Sequence, residues 1–260
     1  MEFGYGSRSR IGTFDWTRRS RGLLSPRDRV EVARQALVYG VATLPAELRR
    51  LFGIKRSRLA NLDPSLLEPP DSSAAKEAEQ LLADMAPPTL VNHSYRTYAW
   101  GAALALHDGL TFDREVVYVA SLLHDVYFRT PDAKADLHCF TLPAAELAIE
   151  VAERAGWTEA RSLGVADAIT LHLNLIAPKD SPEARAVFFG ARLDTVGYRY
   201  GDLDPDALKQ ALHRFPRERL KARSAPMFDA QATRNKGSRV HFYTRYLACN
   251  WFVRRTQFSE

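Results

Sequence analysis

Disulfide chemistry is all but absent from this sequence: among 260 residues there are two cysteines, Cys139 and Cys249, and neither lies in a C-x-x-C pair. No disulfide framework can be built from them, and a reducing cytoplasm is the expected setting. Long apolar runs are missing too. No uninterrupted stretch approaches the roughly 20 residues that span a bilayer. The opening MEFGYGSRSR lacks the apolar segment of a secretory signal. Alternating strand patterns are few, and nothing repeats at a fixed period. With 46% hydrophobic and 26% charged residues, wholesale disorder and collagen-like repetition are excluded.

Acidic residues are in modest deficit, 31 against 36 basic, for a net charge of +5 and a pI near 9.3. Part of the excess is local. Residues 1–24 carry Arg8, Arg10, Arg18, Arg19 and Arg21 against Glu2 and Asp15, and the segment reads as a basic flexible arm. Such a surface can steer nucleic acid or anionic substrates. No nucleic-acid motif accompanies it, so nucleic acid is a possible partner without motif support.

Helical punctuation fills the rest. Ser25-Pro26 starts a run to about Leu44, Pro45 opens a short helix stopping at Gly53, and 57–73 reads as loop. Helices follow over 74–85, 92–107, 114–125, 143–155, 158–175, 181–200, after 204 and after 216, with a last one over 240–254. VVYVASLL within 114–125 is apolar all round, as in a helix buried on every side. The C-terminal aromatics Phe242, Tyr243, Tyr246, Trp251 and Phe252 are expected to pack into the core. The fold class is all-α, one domain overall: a 25–90 helical segment, a 91–200 core and 201–260 helices packed on it.

Four polar positions stand where helical spacing expects apolar ones: His93, His124 with Asp125, His172 and Asp194. A buried lone carboxylate protonates, finds a partner or binds a metal. One divalent cation would satisfy Asp125 and Asp194 together, and imidazole with carboxylate suits Zn, Mn, Fe or Ni. Asp194 has the alternative of capping a helix or pairing with Arg192 or Arg199. The second His-Asp pair, His107-Asp108, is followed at once by Gly109 and reads as an ordinary polar helix end.

The order N-H-S-Y-R (92–96), S-L-L-H-D (121–125), I-T-L-H (169–172) and G-A-R-L-D-T-V-G (190–197) resembles the HD-domain superfamily of metal-dependent hydrolases. The resemblance covers roughly residues 90–200. The N-H-S-x-R opening and the late D-x-V-G are closest to the cyanamide-hydratase-like branch. By that resemblance His93, His124, Asp125 and Asp194 are the metal ligands, and the fold is an HD-like helical bundle with an N-terminal helical extension. His172 matches a histidine on the substrate side, with the role of general acid/base or hydrogen-bond donor. With Asp125 and Arg96 it makes up the expected catalytic set. Arg96 would clamp an anionic substrate or hold a carboxylate, with a surface ion pair as the alternative. The sequence departs from the branch at Val126-Tyr127-Phe128 and at Phe140-Thr141, where a carboxylate is usual.

The leading expectation is a hydrolase acting through activated water on a small substrate, a phosphoester or nucleotide. The alternative is hydration of a nitrile-type substrate. Two further readings are a dinuclear oxygenase that adds His138 to the ligands, and a binding protein that works through the basic arm. The loop over 126–140, with Tyr127, Arg129, Lys134, Asp136 and His138, is expected to cover the open metal position.

Overall fold

A computed structural model describes residues 10–51, 59–128 and 139–259. Among the described residues there are twelve α-helices and two short 3-10 helices, with β-pairing limited to the isolated bridges Leu23 to Ser238 and Leu59 to Leu203. No helix among them is long and apolar enough to cross a membrane.

The centre of the molecule is the pair α4 (Pro88–His107) and α8 (Pro182–Val196), which share the largest helix contact. They approach so closely because two glycines face the opposing backbone. Gly190 lies against the carbonyl of Thr97, and Gly101 against that of Ala186. Around this pair stand α5 (Arg114–Leu123), α6 (Thr141–Arg154) and α7 (Glu159–Leu171). Side-chain caps mark the starts of α5, α7 and α8: Asp113 accepts from the Glu115 and Val116 amides, Thr158 from Arg161, and Ser181 from Ala184. Gly197, at φ 73°, closes α8 in the left-handed region. Every residue of α5 from Val116 to Leu123 is buried, as its all-apolar sequence predicts.

Several boundaries differ from the sequence-based expectation. Within the supposed flexible arm, residues 14–20 form α1 (Phe14–Ser20), capped by Thr13. Phe14, Trp16 and Leu24 are buried, and the Phe14 amide donates to Asp167 Oδ1 at 2.6 Å. Three apolar anchors outweigh the local excess of arginine, which stays on the solvent side. Residues 1–9 lie outside the described residues. The helix α2 (Pro26–Leu51) passes through Pro45 instead of breaking there, at the cost of one i→i−4 hydrogen bond. The 57–73 loop contains a 3-10 turn at Pro64–Leu67. The helix α4 begins at Pro88, four residues ahead of Asn92, and α7 ends at Leu171 instead of near Leu175.

The helix α3 (Ser73–Met85) packs on α5 and α6, α9 (Pro205–Arg214) on α4, and α10 (Leu220–Arg234) and α12 (Cys249–Arg254) contact α4 and α8 respectively. The expected single helix over 240–254 is two, α11 (Arg239–Tyr246) and α12, separated at Ala248, whose φ is 52°. That kink leaves Tyr246, Trp251 and Phe252 exposed, against the core packing expected of them, while Tyr243 is buried.

The close α4–α8 contact generates a paired prediction. Gly190→Ala forces a methyl onto the Thr97 carbonyl and is expected to destabilise the protein by about 1–3 kcal/mol or more. Gly164→Ala, inside α7 with open space around it, is expected to stabilise by about 0.5–1 kcal/mol. Urea denaturation of both variants checks the signs.

Candidate metal centre

Three helix ends and one helix middle bring the candidate residues together. His93 comes from the first half of α4, His124 and Asp125 follow the last residue of α5, His172 follows the last residue of α7, and Asp194 lies near the end of α8. All are buried, His124 and Asp194 completely.

The imidazole orientations decide what the site can do. His124 Nδ1 lies 2.7 Å from the Ser121 carbonyl, and His172 Nδ1 lies 2.5 Å from the Ile169 carbonyl. His93 Nδ1 lies 2.8 Å from Asp194 Oδ2. Each partner can only accept, so each Nδ1 carries the hydrogen and donates outward. The three Nε2 atoms therefore turn lone pairs inward. His93 Nε2 and His124 Nε2 are 3.2 Å apart, and Asp125 Oδ2 is 3.5 Å from the first and 3.4 Å from the second. Asp125 Oδ1 is buried with no hydrogen-bond partner.

Three acceptor atoms facing one another in a dry interior repel unless a cation lies among them. Ligands about 2.0–2.1 Å from a tetrahedral metal are about 3.3–3.4 Å from each other, which matches the edges of this triangle. His93, His124 and Asp125 thus fit a metal ion, and they are a candidate ligand cluster among the described residues. His172 stands beside them, its Nε2 3.6 Å from Asp125 Oδ1 and its ring edge-on to His124 at 4.7 Å between centroids.

Without a cation the triangle attracts a proton instead. Burial works against the Asp125 charge, but the neighbouring histidines outweigh it and hold the carboxyl well below its usual range. For His93 burial again opposes charge, and Asp125 with Asp194 overcomes it and raises the pKa; the same pull favours any cation at Nε2. Burial, reinforced by His124, pushes the His172 pKa down to about 3, so this ring is neutral near pH 7.

Asp194, expected as a fourth ligand, is not in the triangle. It lies on the far side of His93, where Arg96 Nη2 donates to Oδ2 at 2.7 Å, Arg96 Nε at 3.0 Å, and Arg217 pairs with Oδ1. Burial opposes its ionisation, but the two guanidinium groups keep it ionised, below the usual carboxylate range. Both arginines neutralise it, so Asp125 is the carboxylate left facing the triangle. The alternatives for Asp194, a pair with Arg192 or Arg199, are not realised.

Arg96 is fully buried, which removes the surface-pair alternative and the substrate clamp; it holds Asp194 and donates to the Phe215 and Pro216 carbonyls. Sequence reasoning missed Arg217, which lies in the basic run 214–219 and carries no mark that separates it from its neighbours. The twin pair behaves as expected: His107 is exposed, and Asp108 meets Arg199 at 2.8 Å. His138, Arg129, Lys134 and Asp136 lie outside the described residues. Tyr127 and Phe128 border an apolar cluster with Leu90, Phe140, Met227 and Phe228, and the Phe140 ring is 6.1 Å from that of His172.

The family model of the HD domain matches residues 90–195, the segment that holds all five residues. Over that segment the chain is similar to the HD domain. Among curated proteins it is similar to the cyanamide hydratases DDI2 and DDI3 of Saccharomyces cerevisiae. Each is 22% identical over 222 residues, spanning 82% of this chain and 97% of the relative.

The buried Arg96–Asp194 pair yields a stability prediction. Arg96→Met leaves Asp194 underpaired and two carbonyls without donors. Chemical denaturation is expected to show a loss of about 3–5 kcal/mol; a loss below about 1 kcal/mol would contradict this reading of the pair.

Proposed function

We propose that the protein is a metal-dependent hydrolase that directs an activated water onto a small substrate, with His93, His124 and Asp125 as the ligands of one divalent ion. The observation that carries this reading is the set of inward lone pairs, each fixed by an outward N–H. Two imidazoles and a carboxylate suit Zn, Mn, Fe or Ni. Such an ion, when bound, lowers the pKa of a water towards about 7 and polarises the group attacked.

The chain's own residues do the rest. Asp194 accepts from His93 Nδ1, which fixes that ring and strengthens its outer nitrogen as a donor to metal. Arg96 and Arg217 keep Asp194 charged and in place. His172, neutral and held by its Nδ1–H, offers Nε2 as an acceptor for the proton of the attacking water and returns that proton to the leaving group. The reading sets the protein in a reducing cytoplasm, consistent with two free cysteines.

For the substrate we put a small phosphoester or nucleotide first, following the superfamily. Arg96 and Arg217 are engaged with Asp194 and do not face such a substrate. A second reading, hydration of a nitrile, is favoured by two observations: the aromatic, uncharged wall of Phe128 and Phe140 beside His172, and the similarity to two cyanamide hydratases.

Two measurements test these assignments. Asp125→Ala is expected to lose bound metal in elemental analysis. Asp194→Asn is expected to keep the stoichiometry while weakening affinity about 10–100-fold. Equal, total loss in both would return Asp194 to the ligand set. Metal-loaded protein is then assayed for phosphate release from nucleotides and aryl phosphates and for urea from cyanamide. Phosphate release supports the first reading, and urea without phosphate release replaces it with the second.

A further inference from the structure

A guanidinium buried without a carboxylate is costly, because its hydration is replaced by neutral partners only. Arg239 is such a group. It is fully buried at the start of α11, and its hydrogen-bond partners among the described residues are all neutral: the Thr170 carbonyl at 3.0 Å, Asn174 Oδ1 at 2.7 Å, and Thr141 Oγ1 at 3.4 Å. The ring of Trp16 lies 5.5 Å from its Cζ. Nothing in the mechanism above uses it.

Its contact with the end of α7 gives the reason. The last carbonyls of a helix lack intrahelical donors, and a cation there is favoured by the helix dipole. In α7 these carbonyls are taken one by one. Ile169 receives His172 Nδ1–H, Thr170 receives Arg239 Nη1, and Leu171 receives the Asn174 amide at 3.0 Å. Arg239 Nη1 also reaches Asn174 Oδ1, so one nitrogen bridges the residues on either side of His172. Asn174 in turn donates Nδ2–H to the Ile11 carbonyl at 3.0 Å, and Gly12 packs against Asn174 and Arg239 so tightly that a Cβ would overlap both. The N-terminal segment thus closes over this bridge.

We propose that Arg239 is a positioning residue: by clamping the 170–174 turn it sets the direction in which His172 Nε2 faces the Asp125 carboxylate. The proposal rests on the reading of His172 as the proton-handling group. It also gives residues 11–16 a role, as the cover that keeps water from the clamp.

The test is the imidazole nitrogen spectrum of the full-length protein, recorded without metal and with zinc, with His172→Gln to assign the signals. In the wild type His172 is expected as the Nδ1–H form with a slowly exchanging ring proton. Arg239→Gln is expected to mix the two neutral forms and speed ring-proton exchange at least tenfold. His93 and His124 signals and zinc stoichiometry stay unchanged. Arg239→Lys, which keeps a cationic donor, is expected to restore the wild-type signature in part. Should Arg239→Gln fail to fold, Asn174→Ala carries the test, with the same change in smaller measure. A wild-type His172 signature in a folded Arg239→Gln or Asn174→Ala protein would overturn the proposal. The spectrum needs no turnover, so a wild type inactive on every substrate would count against the enzymatic reading without deciding this one.

Discussion

Three imidazole hydrogens point away from one another, and the structure depends on that. The Ser121 and Ile169 carbonyls and the Asp194 carboxylate each hold an Nδ1–H, and the price is a cluster of lone pairs with a carboxylate in the dry centre. Polypeptide interiors do not gather acceptors in this way without a compensating charge. The helices end where they do so that the last-turn carbonyls of α5 and α7 can take part. His124 and His172 are each the residue after a helix, and each folds back onto the carbonyl three positions earlier.

A second layer makes the first precise. Asp194 is ionised in a fully buried position because Arg96 and Arg217 flank it, and its role is to orient His93. The glycine contacts between α4 and α8 set the spacing across which this bond forms. Backbone proximity, a buried ion cluster and a ring orientation are therefore one mechanical unit. Loss of any part disturbs the outer nitrogen of His93.

Much of this was legible in the sequence, and for identifiable reasons. His124 and Asp125 stand out because they end a helix that is apolar on every face, whereas His107 and Asp108 end a helix beside a glycine and are solvated. Asp194 stood out as a carboxylate on an apolar stripe, but which side of His93 it occupies depends on two arginines, one of them 23 positions away. Arg217 and Arg239 were invisible. A basic residue among basic residues gives no pattern signal, and only the packed fold buries it. The supposed arm failed for the opposite reason: five arginines dominate the composition of 1–24, while Phe14, Trp16 and Leu24, too few for a periodic pattern, decide where the segment goes.

The most direct test of the account is a calorimetric titration of metal-free protein with Zn, Mn, Fe and Ni ions, followed to saturation. The account predicts binding at one equivalent per chain for at least one of them, with a matching rise in thermal stability. Full-length, folded protein that binds none, and whose unfolding temperature none of them shifts, would contradict it.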